Sequence, residues 1–162
     1  MSQFSHLIEI NDLQNPSITT LTREELWVGL VLRAENPVCF VRGLDSCTIL
    51  GRRIVGGELR SLRRELRFGA MIVRDRVSFS PLESVRYEVE KSETYPASKL
   101  IMRIEEPQPD HLFVRFEYSN NGLDSSDADV INARQVLHCA YTAADIDTIR
   151  EIRRVIAERK LH

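Results

Sequence analysis

No stretch of this 162-residue chain is apolar over anything near the roughly 20 residues that a bilayer-spanning helix needs, so membrane insertion is not expected. The opening residues, MSQFSHLIEIND, lack the basic and then apolar segments of a secretory leader, which makes the cytoplasm the expected compartment. Cysteine is scarce: Cys39, Cys47 and Cys139 are odd in number and show no CxxC spacing, so they read as reduced core fillers rather than a disulfide framework. A chain of this length buries a core without such staples, and residues 1–162 are expected to form one domain.

An excess of charge of one sign is missing too. The net charge is −2, which gives no broad basic surface for nucleic acid. Arg60, Arg63, Arg64, Arg67, Arg74 and Arg76 suggest a basic patch, but Glu58, Glu65 and Asp75 are interleaved with them, so a solvated, salt-bridged sheet surface is the better reading. His6, His111, His138 and His162 are dispersed and form no HxH, HExxH or Cys/His cluster, so no metal site is expected. His138 adjoins Cys139, but neighbours on a helix point in different directions, which argues against a nucleophilic pair. GxSxG, Walker and GxGxxG loops are absent, and no cofactor is implied.

What is present is alternation. Phe4, His6, Ile8 and Ile10 predict a first strand. Thr22 with Glu25 three residues on forms a capping box, and Leu26, Trp27, Leu30, Val31 and Ala34 give a helical stripe that Asn36-Pro37 ends. Residues 38–44 read as a short helix or a turn. Strand-like runs follow from residue 46, with a hairpin at Gly56-Gly57 and further strands near 59–68, 71–80, 84–92, 98–105 and 112–119. Beyond Leu123 there is no Gly or Pro, and Val130, Leu137, Tyr141, Ala144, Ile149, Ile152 and Ile156 adopt helical spacing. Thr142 with Asp145 resembles an internal capping box, which allows a kink or break near Tyr141.

Two charges interrupt the alternation. One face of the 59–68 strand is Leu62, Arg64, Leu66 and Phe68, and one face of the next is Met71, Val73, Asp75, Val77 and Phe79. Gly69-Ala70 between them suits a two-residue turn, which pairs Phe68 with Met71 and, counting outward, Leu66 with Val73, Arg64 with Asp75 and Leu62 with Val77. Glu65 then meets Arg74 on the outer face.

One strand, one or two short helices, about six antiparallel strands and a long terminal helix make an α+β pattern. A curved sheet wrapped around the last helix satisfies it, with a pocket wherever the concave face is incompletely filled. Arg64 and Asp75 on that face need each other, because a lone buried charge costs several kcal/mol. They are either a structural ion pair or a polar anchor in which Arg64 orients a ligand carbonyl or carboxylate. Tyr87, Phe68, Val73, Phe116, Tyr141 and Ile149 are the other candidate lining residues. Tyr118 brings another hydroxyl that wants a partner when buried, and Trp27 reads as packed on its helix stripe. Asp145 and Asp147 read as solvated or as caps.

The stretches HLIEIND, LTREELWVGLVLRAENP, FVRGLDSC, LRRELRFG, VRDRV, RIEEP, LFVRFEY and AADIDTIREIR, in this order of elements, resemble the AtaL-like family of the START-like SRPBCC superfamily. The resemblance covers nearly the whole chain. It implies the helix-grip fold of birch-pollen-allergen relatives and polyketide cyclases, with a hydrophobic cavity between sheet and helix. It transfers no catalytic residue. The expected function is therefore binding of an apolar or aromatic small molecule. The alternatives are a polyketide cyclase or dehydratase that uses Asp75 as acid or base, and a non-catalytic protein-interaction module. An edge strand of the open sheet offers a homodimer surface.

Overall fold

A computed structural model of the protein describes residues 2–93, 96–120 and 128–161, without the side chains of Ser2, Asn120 and residues 128–134. Its strands are β1 (Ser2–Glu9), β2 (Ser46–Val55), β3 (Glu58–Phe68), β4 (Met71–Ser80), β5 (Ser84–Val89), β6 (Ser98–Gln108) and β7 (His111–Asn120). They form one antiparallel sheet in the order β1-β7-β6-β5-β4-β3-β2. From β2 to β7 each strand pairs with the next in sequence, which is the predicted meander. β1 closes on the far side of β7, with Phe4 opposite Tyr118 and His6 opposite Phe116.

Turn chemistry sets the register. Gly56 and Gly57 both take positive φ, 60° and 81°, as a tight hairpin turn demands. Gly69, at φ 58°, starts the two-residue β3–β4 turn, and Phe68 meets Met71, Leu66 meets Val73, Arg64 meets Asp75 and Leu62 meets Val77. Glu65 meets Arg74 on the outer face, where their side chains form an ion pair of 3.2 Å. Not every outer pairing is complementary, since Arg63 stands opposite Arg76. β1 and β2 are the open edges, and β2 is bulged between Ile49 and Gly51 and again between Arg53 and Ile54, which hinders further pairing.

Helix α1 (Arg23–Glu35) begins at the predicted capping box: the Thr22 side chain accepts from the Glu25 amide, and the Glu25 carboxylate accepts from the Thr22 amide. Leu26, Leu30 and Ala34 are fully buried, and Trp27 meets Phe79 edge-on at 6.3 Å. The segment left open as helix or turn is a 3₁₀ turn over Pro37–Cys39. The terminal helix α2 (Ala128–Lys160) runs without a break through Tyr141. Thr142 does not cap a new start; its hydroxyl donates to the His138 carbonyl one turn back, at 3.0 Å. The buried face of α2 is Asp145, Thr148, Ile149, Ile152 and Ile156. Ala144 is exposed, because one residue of helix rotates it about 100° from the face centred on Asp145. Val130 lies outside the described side chains.

α1 and α2 meet where Gly29 faces Ile152, so closely that a Cβ at position 29 would collide with the isoleucine. The concave face of the sheet closes the core, with Leu62, Val77, Val85, Met102, Val114 and Phe116 packed beside Leu26, Leu30 and Ile152. Cys39 and Cys139 are exposed rather than core fillers, since the 3₁₀ turn and the outer side of α2 carry them, whereas Cys47 is half-buried against Leu44, Leu66 and Val73. Among the described residues no helix is long and apolar enough to cross a membrane.

Candidate functional site

Strand pairing lines up Leu62, Val77, Tyr87, Leu100, Tyr118 and Phe4 as one row across the concave face. The adjacent row holds Arg64, Asp75, Val89 and Ser98. Arg33 at the end of α1, Val41 and Leu44 in the link to β2, and Tyr141 on α2 cover these rows without filling the space beneath them. The result is a cavity of about 310 Å³, at the small end of the range usual for ligand sites.

Of the candidates read from the sequence, Arg64, Asp75, Tyr87, Phe68 and Tyr141 border this cavity. Val73, Phe116 and Ile149 do not. Val73 packs with Leu44 and Leu66 in a small separate cluster. Phe116 lies two residues deeper than Tyr118 along β7, opposite Met102 and His6, and is fully buried in the main core. Ile149 sits about two turns beyond Tyr141 on α2, in the same core as Ile152.

Arg64 and Asp75 are 3% and 4% exposed and complete one another. Nε and Nη2 of Arg64 donate to the two Asp75 oxygens at 2.8 and 2.6 Å, and Nη1 donates to the Ala34 carbonyl at 2.8 Å. Burial works against the guanidinium charge, but the bonds to Asp75 outweigh it and hold Arg64 above its ordinary pKa. The carbonyl of Ala34 belongs to the last turn of α1, where a cation also meets the negative end of the helix dipole.

Tyr87 is the polar atom out of place. Its ring is buried, and the guanidinium carbons of Arg33 and Arg64 lie over it, 5.1 and 5.2 Å from its centre. Its hydroxyl is buried without a hydrogen-bond partner, and other atoms of the residue line the cavity. A phenol stripped of water without a replacement costs about 1–3 kcal/mol, so this atom is poised for an acceptor.

Asp145 corrects the sequence reading, which left it solvated or as a cap. It is 1% exposed. Tyr118 donates its hydroxyl to the carboxylate, 2.7 Å from both oxygens, and His6 Nε2 lies 2.7 Å from Oδ2. Burial pushes the Asp145 carboxyl above its ordinary pKa, against the hydrogen bonds from Tyr118 and His6 that favour the charge. Burial, then the neighbouring Asp145 charge, pushes the Tyr118 phenol upward. Tyr118 reaches the cavity, stacked on Tyr141 with ring centres 3.9 Å apart, while Asp145 and His6 stand behind it. His6 carries a sequence signal of its own: it is a polar residue in an apolar alternation, as Arg64 and Asp75 are. Arg33 carries none, because it sits at the margin of the α1 stripe.

A larger depression, about 740 Å³, lies between the β1–α1 connection and the end of α2. Its ionic groups already have partners: Arg153 donates to the Thr19 carbonyl at 2.7 Å, Lys160 meets Glu25 at 2.8 Å, Arg154 pairs with Glu151 and Glu158, and Glu9 meets His111. It holds no unpartnered buried side-chain atom among the described residues, so the smaller cavity is the candidate site.

A curved antiparallel sheet that grips a long terminal helix, with a partly polar cavity between them, defines a helix-grip protein of the START-like SRPBCC superfamily. Within it, residues 8–159 match the model of the AtaL family, described as acetylaranotin biosynthesis cluster protein L, and the chain belongs to that family. No curated protein sequence matches it. Among solved structures, the di-domain ARO/CYC StfQ of the steffimycin biosynthetic pathway is similar at a TM-score of 0.66 and 11% identity, over 99% of this chain and 52% of that one. The di-domain ARO/CYC BexL of the BE-7585A biosynthetic pathway follows at 0.60 and 14%, over 93% of this chain and 48% of that one. SA2116 from Staphylococcus aureus, a protein of unknown function, gives 0.62 and 10%, over 99% and 98%. This chain thus spans about half the length of the two di-domain proteins, and at such identities the likeness is one of fold.

Proposed function

We propose that the protein binds an apolar or aromatic small molecule in the cavity between the sheet and α2, as a cytoplasmic, single-domain carrier. The observation that carries this reading is the buried, unpartnered hydroxyl of Tyr87, a residue that lines a mostly apolar space. Fold likeness to two ARO/CYC proteins and a family named for a biosynthesis cluster supports a ligand from secondary metabolism. In this reading Arg64 and Asp75 form a rigid polar wall, and Tyr87 makes the directional contact. Native mass spectrometry of freshly purified protein tests it, with Leu100→Trp as the variant that fills the space. A small molecule carried by the wild type and lost from the variant is expected. A bare protein mass for both, with no uptake of added naphthalene-type aromatics, contradicts the proposal.

A second reading, an acid–base enzyme of the polyketide cyclase or dehydratase kind, is favoured by one arrangement. Both oxygens of Asp75 are engaged by Arg64. Tyr118 instead borders the cavity and hydrogen-bonds a buried carboxylate. Tyr118 would take a proton from an acidic hydroxyl of the bound molecule while passing its own to Asp145, and His6, with its side chain 16% exposed, links that carboxylate toward solvent. Turnover that disappears in Asp145→Asn while ligand binding persists would select this reading; unchanged turnover would remove it.

A further inference from the structure

We infer that the molecule this cavity takes is an aromatic acid, whose carboxylate or comparably acidic enol oxygen is held by Arg33 and the Tyr87 hydroxyl. The inference rests on the binding reading above and names the chemistry of its ligand. Two cations, Arg33 and Arg64, border the cavity against a single carboxylate, Asp75. Asp75 is spent on Arg64, to which both its oxygens are bonded.

Arg33 is the distinctive cation. It is half-buried, its Nε donates to the Thr148 hydroxyl at 3.3 Å, and no described carboxylate lies within ion-pair distance of it. Asp145 feels the Arg33 charge, but its carboxylate is hydrogen-bonded to Tyr118 and His6. The guanidinium without a direct ion pair and the hydroxyl without an acceptor belong to adjacent side chains, since Arg33 lies over the Tyr87 ring. A single oxyanion beside them would satisfy both at once, through a charge-assisted bond from the guanidinium and a short bond from the phenol. Apolar walls of low dielectric concentrate the positive potential of such a space, so a neutral molecule of equal shape is the weaker ligand. Phe68, Leu66, Val89 and Leu100 around the polar end supply the surface for a ring.

The test compares 2-naphthoate with 2-naphthamide, which match in shape and differ in charge, by isothermal titration calorimetry on wild type, Arg33→Gln, Tyr87→Phe and Arg153→Gln. The carboxylate should bind at least tenfold more tightly than the amide to wild type and to Arg153→Gln, whose altered residue lies in the other groove. Arg33→Gln should erase that preference, and Tyr87→Phe should reduce it. Equal affinity of the two probes for wild type, or an undiminished preference in Arg33→Gln, overturns the inference and leaves the binding reading standing. Binding of neither probe contradicts the binding reading, and the inference falls with it.

Discussion

Arg64 presents Nε and Nη2 to the two oxygens of Asp75, directly across the β3–β4 ladder, at 2.8 and 2.6 Å. Its third bond, to the Ala34 carbonyl, ties the sheet to the end of α1. The pair thus sets the distance between the sheet and the helix end that brings Arg33 over the cavity. Removing one partner strands a buried charge, so Asp75→Leu or Arg64→Met alone should cost about 3–5 kcal/mol, and the double variant should recover most of it. Urea denaturation of the three variants checks this, and a double variant no better than the singles would contradict it.

Gly29→Ala separates packing from helix propensity. In an exposed helix interior the change would stabilise by about 1 kcal/mol. Here the added methyl runs into the γ-carbons of Ile152, so a loss of about 1–3 kcal/mol is expected, and the change should cost less in an Ile152→Ala background, where those carbons are gone. Thermal unfolding of the single and double variants reads the sign directly.

Tyr87→Phe removes a hydroxyl with no partner in the unliganded protein. Stability should hold or rise by about 1 kcal/mol, because the stranded donor is gone. Affinity for a ligand that accepts from that hydroxyl should fall about fivefold to tenfold, the worth of a single hydrogen bond. A variant that loses stability while keeping full affinity would show that the hydroxyl serves the fold.

Asp145 gives a pH dependence of known sign. Burial raises its pKa in the folded protein, so between the ordinary carboxylate value and the raised one the folded chain holds a proton that the unfolded chain has released. Stability contributed by this group therefore falls as pH rises through that window. Glu25, held low by its bond to Lys160, acts in the opposite direction, so the informative quantity is the difference between wild type and Asp145→Asn. Denaturation from about pH 4 to about pH 7 should show the variant gaining on wild type as pH rises. A difference that shrinks with pH would contradict the assignment.

The sequence made much of this fold legible because turn residues and alternation are local. Gly69-Ala70 and the residues beside it determine the Arg64–Asp75 register, and Thr22 with Glu25 determines where α1 begins. The site was less legible because it depends on which elements face one another. Tyr118, His6 and Asp145 come from two strands and a helix, up to 139 residues apart, and only the folded sheet brings them within 2.7 Å. Phe116 and Ile149 look like cavity lining by periodicity alone; their depth along β7 and α2 places them in the core.

The most direct test of the central claim is a ¹H–¹⁵N chemical-shift map of the full chain titrated with 2-naphthoate. Saturable shifts should cluster at Arg33, Tyr87, Leu100, Tyr118 and Tyr141. Shifts gathered instead around Thr19, Arg153 and Ala157 in the larger groove, or no saturable shifts at all, would contradict it.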